Sequence, residues 1–178
     1  MATASHSPGK KAAGKPAATP GMIRGPDAVA LLKADHRAVE KLFSQFDKAR
    51  QDDRKKMLAD KICQELRLHM QIEEEIFYPA SRQHLKDQDI VDEAVVEHAA
   101  AKDLMGEIEA MQPGDDLYDA KVTVLEEQIE HHVEEEETEY FPLVRKTDMD
   151  LKAVGSQMKV RKEALITQLH SGHIRAIQ

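Results

Sequence analysis

Two segments of the chain carry the same pair of metal-ligand side chains at the same spacing. The first runs Leu66-Arg67-Leu68-His69-Met70-Gln71-Ile72-Glu73-Glu74-Glu75-Ile76-Phe77-Tyr78-Pro79. The second runs Ile129-Glu130-His131-His132-Val133-Glu134-Glu135-Glu136-Glu137-Thr138-Glu139-Tyr140-Phe141-Pro142. Aligned on their prolines, His69 matches His132 and Glu73 matches Glu136, each offset by 63. On an α-helix a histidine and a carboxylate four residues later stack on one face, about 6 Å apart. An imidazole nitrogen and a carboxylate oxygen so placed suit a bound iron, manganese or zinc ion.

Each copy is preceded by a further histidine, His36 before the first and His98 before the second, offset by 62. Four amphipathic segments must position these groups. In the first, Val29, Leu32, His36, Val39, Phe43 and Phe46 recur at intervals of 3 or 4. The second shows Leu58, Ile62, Leu66, His69, Glu73 and Ile76, and the third Val91, Val95, His98, Met105 and Ile108. The fourth shows Val122, Leu125, Ile129, His132, Glu136 and Leu143. Such periods mark helices with one inward face. Pro26 and Asp27 open the first helix, Gln51-Asp52-Asp53 turns the chain, and Gln112-Pro113-Gly114-Asp115 is a strong stop. Pro79 should kink or end the second helix soon after it. The expectation is an all-α, up-down-up-down four-helix bundle made of two related hairpins.

The heights agree along the axis. His36 lies about 12 residues before the end of its helix and His69 about 16 after the start of the next, roughly 6 Å apart in rise. His98 and His132 give nearly the same figures. Each stripe is therefore apolar except at one common layer, where His36, His69, Glu73, His98, His132 and Glu136 converge. Two buried carboxylates each carry a desolvation cost of several kcal/mol unless protonated, paired or bound to a cation. No lysine or arginine stands on these stripes at that layer to offset both. A dinuclear metal centre with the carboxylates as bridges meets the requirement. The plain alternative is a set of core or solvated histidines and glutamates that happen to align. A ferritin-like site needs Glu-x-x-His and a zincin needs H-E-x-x-H, and the chain has neither.

These residues resemble the hemerythrin-like family, the HHE cation-binding domain. Asp35-His36, the H-x-x-x-E at 69–73, Glu97-His98 and the H-x-x-x-E at 132–136 carry the likeness, with Phe77-Tyr78-Pro79 and Tyr140-Phe141-Pro142 as motif endings. It covers about residues 27–145. The resemblance implies two non-haem iron ions, oxo- or hydroxo-bridged, with His36 and His69 on one and His98 and His132 on the other. Glu73 and Glu136 would bridge them. It implies a protein that binds, senses or reduces oxygen, peroxide or nitric oxide, with an oxidoreductase activity left open. A module that holds iron or zinc without turnover, for storage, delivery or regulation of a partner, is the alternative, and a metal-free helical interaction protein is the third. Lys102 stands where oxygen-carrying relatives have a further histidine, which argues against reversible oxygen storage and for more open, more similar metal positions.

Around this core, residues 1–25 form a basic Ala/Pro/Lys tail with Lys10, Lys11, Lys15 and Arg24 and no acidic residue. It is expected to be disordered and solvated; weak contact with an acidic partner or nucleic acid is conceivable, and so is a transit peptide, although the prolines and glycines work against an amphipathic helix. Residues 26–146 form the bundle, and 147–178 a C-terminal helix over about 149–170 that packs across it. A net charge of −8 argues against nucleic acid or anionic membrane as a partner of the body. The chain lacks an apolar run of the ~20 residues that span a bilayer, and its single cysteine, Cys63, suits a reducing compartment, so cytoplasm is expected. His6, His170 and His173 are read as solvated, His84 as a residue of the connection between the second and third helices with a metal role only as the lesser option, Cys63 as a packed thiol, and Glu74 and Glu137 as exposed. Tyr78 and Tyr140 are read as packing at the bundle end, with a supporting hydrogen bond to the site as the second option. His131, with Glu135 four residues on, is a weaker substitute for His132.

Overall fold

The computed structural model describes residues 27–171. The basic tail and the last few residues of the chain, with His6 and His173, lie outside them. Asp27 caps α1 (Ala28–Lys48), its carboxylate accepting from the Ala30 N–H at 2.9 Å. The chain turns at once into α2 (Asp52–Ile72), whose first turn carries Asp52 and Asp53 at the positive end of the helix dipole. A π turn, Glu73–Phe77, then leads into α3 (Tyr78–Arg82). After a short connection comes α4 (Asp89–Glu109), then α5 (Tyr118–Glu135). A second π turn, Glu136–Tyr140, leads into α6 (Phe141–Val144). The last element is α7 (Leu151–His170), capped by Asp150.

Gly114 (φ 93°) and Leu117 (φ 72°) bend the connection before α5, the glycine at no steric cost. The α1–α2 and α4–α5 hairpins pack together as the expected four-helix bundle, and α7 lies across α1, α2 and the first π turn.

Pro79 and Pro142 explain the π turns. Each proline lacks an N–H and its ring crowds the carbonyl four residues back. Neither ends its helix at that point. Instead the preceding turn widens, and the Tyr78 and Phe141 N–H groups bond to the carbonyls of Glu73 and Glu136, five residues back. The extra residue in each turn rotates the next stretch of helix about its axis. Phe77, Tyr78, Tyr140, Phe141 and Val144 therefore point inward, while Leu143 is 43% exposed, against the expected stripe. Val95 is also displaced from its expected place. It is 41% exposed, and the smaller Ala94 faces the core.

Two apolar clusters fill the bundle. One holds Phe43, Phe46, Leu58, Ile62, Met105 and Leu125; the other holds Val29, Leu32, Phe77, Tyr140, Phe141 and Met158. Between them lies a layer of buried polar side chains.

Candidate metal centre

That layer contains His36, His69, Glu73, His98, His132 and Glu136, none more than 4% exposed. All six residues singled out in the sequence therefore meet in one place. The histidines form two pairs. His36 Nε2 lies 3.3 Å from His69 Nε2, and His98 Nε2 lies 3.2 Å from His132 Nε2. The carboxylates span the pairs. Glu73 Oε2 is 3.1 Å from His69 Nε2 and 3.5 Å from His98 Nε2. Glu136 Oε2 is 3.3 Å from His36 Nε2 and 3.7 Å from His132 Nε2.

Outside this ring, every outward imidazole nitrogen faces a carboxylate. His36 Nδ1 donates to Glu137 (2.9 Å), His98 Nδ1 to Glu74 (2.9 Å) and His132 Nδ1 to Glu97 (2.7 Å). His69 Nδ1 faces Asp35 Oδ2 at the longer distance of 3.7 Å. An ionised carboxylate only accepts, so in the three hydrogen-bonded rings the proton sits on Nδ1 and the Nε2 lone pair points inward. Glu74 and Glu137 thus overturn the expectation that they would be exposed. Each sits in a widened π turn, next to Glu73 or Glu136, and both are half-buried. Asp35 and Glu97 play the matching role from α1 and α4.

The supporting carboxylates are themselves held. Glu137 takes Lys33 (3.0 Å) and Arg37, and both oxygens of Glu74 accept from Lys102 Nζ at 2.7 Å. Lys102, in the place of a further histidine, therefore acts one layer out from the centre. Asp35 takes Lys162 of α7 at 2.6 Å. These donors keep the carboxylates ionised. Burial works to raise the Glu137 pKa, yet hydrogen bonds from His36, Lys33 and Arg37 hold it down to about 2.

Tyr78 and Tyr140 part company. Tyr78 Oη is 3.2 Å from His98 Nε2 and 3.5 Å from Glu136 Oε1, whereas Tyr140 Oη pairs with Ser81 Oγ at 2.5 Å, away from the ring. At the position matching Tyr78 in the second copy stands Phe141, stacked on His36 at 5.9 Å. Space also differs. A cavity of about 230 Å³ runs against the His98–His132 pair, lined by Met70, Val96, Ala101 and Ile129 among others. Beside His36 the spaces are about 10 and 40 Å³.

The donor set fits cations. Both oxygens of Glu73 and Oε2 of Glu136 are buried without a hydrogen-bond partner, as is His69 Nδ1. The inward lone pairs of His98 and His132, facing one another at 3.2 Å, repel unless a proton or cation lies between them. Without a cation, burial and the neighbouring Glu136 charge push the Glu73 carboxyl well up, so the pair keeps a proton; burial likewise holds His69 down, to about 4. Within 4.8 Å of one another lie ligand atoms of His36, His69, Glu73 and Glu136, and separately of Glu73, His98 and His132, so Glu73 belongs to both sets.

The remaining candidates stay outside. His84 pairs with Asp148 at 2.7 Å on the surface, and His170 is exposed. Cys63 is buried, and burial pushes its thiol up to about 12, which leaves it an inert packing group. His131 is 63% exposed in its side chain and turns away from the ring, so His132 is the inward residue.

A four-helix bundle with a buried layer of paired histidines and shared carboxylates defines a cation-binding module. The hemerythrin HHE cation-binding domain profile matches residues 27–144, and the chain belongs to that family. The crystal structure of a hemerythrin HHE cation-binding domain-containing protein from Mycobacterium kansasii superposes with a TM-score of 0.69 at 22% identity, over 82% of this chain and 93% of that one. A protein of Nostoc sp. described as a DNA nickase is 26% identical over 115 residues, 65% of this chain. This chain spans about a third of that relative, 32% of its length. Among the described residues no helix is long and apolar enough to cross a membrane.

Proposed function

We propose that the protein holds two non-haem iron ions in this layer and uses them to bind, sense or reduce oxygen, peroxide or nitric oxide. His36 and His69 would hold one ion, His98 and His132 the other, with Glu73 and Glu136 across both. The observation that supports this most strongly is the reach of each carboxylate to one histidine of either pair. Iron so held supplies one-electron chemistry and an open coordination position for a small ligand. The chain's own groups do the rest. Glu74, Glu97 and Glu137 fix the imidazole protons on Nδ1, and the Tyr78 hydroxyl holds a proton beside the His98–His132 pair. The apolar cavity on that side admits a small molecule while limiting bulk water.

Metal analysis with an optical spectrum of the freshly isolated protein, followed by peroxide titration, tests the proposal. About two irons per chain and a near-ultraviolet band that changes with peroxide are expected. Full metal occupancy with no response to peroxide or oxygen supports a holding module without turnover. Protein isolated from iron-rich medium with neither iron nor colour contradicts both.

A further inference from the structure

We propose that His131, Glu135 and Glu97 form an outer, transient site for a divalent first-row cation, through which metal reaches the buried layer. The idea rests on the reading of that layer as a metal centre. One ligand atom from each of the three residues lies within 4.8 Å of the other two. His131 Nε2 is 3.5 Å from Glu135 Oε1 and 3.8 Å from Glu97 Oε1. Glu93 and Glu139 add negative charge around Glu135.

Two features distinguish this cluster from an ordinary wet patch. Glu97 is shared: its Oε1 faces His131 while its Oε2 accepts from Nδ1 of the buried His132 at 2.7 Å. The cavity of about 230 Å³ is lined by Glu97 and His131 and also by His98 and His132, so one space touches two members of the outer cluster and one histidine pair. His131 and the 69%-exposed Val96 place its mouth at the surface. An imidazole and two carboxylates suit iron(II), manganese(II) or zinc(II), and an incomplete, partly exposed set binds weakly enough to release its cation inward. The duplication does not repeat the device. The residue matching His131 is Leu68, which is 1% exposed and packs in the core.

The test uses the full-length, metal-stripped protein, with iron(II) added anaerobically, and compares wild type with His131→Ala, Glu135→Gln and the double variant. The expected result is unchanged final occupancy of the buried layer but loading about tenfold slower at limiting metal, since a focused local charge raises cation capture by that order. Equilibrium dialysis with manganese(II) should show a weak third cation in wild type that the double variant loses. Asp103→Asn, which removes one exposed carboxylate on α4 outside the cluster, should change neither readout. Equal loading rates in wild type and the double variant overturn the proposal, as does equal slowing by Asp103→Asn. Wild-type protein that takes up no iron at all refutes the reading of the buried layer instead.

Discussion

The two hairpins bring matching histidines and glutamates to one layer and surround them differently. Around His36 and His69 the protein is closed. Phe141 stacks on His36, α7 reaches over with Lys162 on Asp35, and the adjoining spaces hold little beyond a water. Around His98 and His132 there is a tyrosine hydroxyl, a cavity open to the surface and the exposed His131. Lys102 in place of a further histidine predicts two positions that are alike. The residues behind the two histidine pairs make them unlike: Phe141 stands where the first copy has Tyr78, and Leu68 where the second has His131. In the proposed centre the first pair would anchor and the second would give access.

Removing a shared group should erase the distinction altogether. Glu73→Ala and Glu136→Ala should each lower metal content at both positions, whereas His98→Ala should empty the second and leave the first occupied; elemental analysis of the purified variants distinguishes these outcomes. A supporting carboxylate should act on one side only. Glu74→Gln is expected to weaken the second position and Glu137→Gln the first, each by about 10- to 100-fold in affinity, measured by competition with a chelator.

Exchanging the aromatic residues sharpens the contrast further. Tyr78→Phe should slow the reaction with peroxide about tenfold with metal content unchanged. Phe141→Tyr, on the closed side, should not speed it. The smallest effect concerns α7. Arg161 donates to Glu75 at 2.5 and 2.9 Å, and Lys162 to Asp35, but these pairs are partly exposed. Lys162→Met should cost about 1 kcal/mol or less in thermal unfolding and loosen metal at the first position alone.

Much of the bundle and its buried histidine–glutamate layer is legible in the letters because the repeat supplies its own control: His69 and Glu73 gain weight from His132 and Glu136. The helix order and the C-terminal helix follow from period and stop signals. Local geometry is harder to read. Glu74 and Glu137 look like wet residues on a regular helix, and only the π turns before Pro79 and Pro142 bring them under the imidazoles. A signal is present, since a proline six residues after each ligand glutamate forces the preceding turn to adapt. The same change of phase carries Leu143 out of its stripe. The swap of Phe-Tyr-Pro for Tyr-Phe-Pro is also readable, although its consequence needs the third dimension to show which ring faces His36 and which faces His98. The hold of Lys162 on Asp35, 127 positions apart in the chain, has no local signature at all.

Anomalous diffraction at the iron edge from crystals of the unmodified protein puts the buried layer to the most direct trial. Two peaks are expected, one beside His36 and His69 and one beside His98 and His132, with Glu73 and Glu136 contacting both. A refined layer with no anomalous density, its carboxylates and imidazoles bonded only to one another or to water, would contradict the assignment.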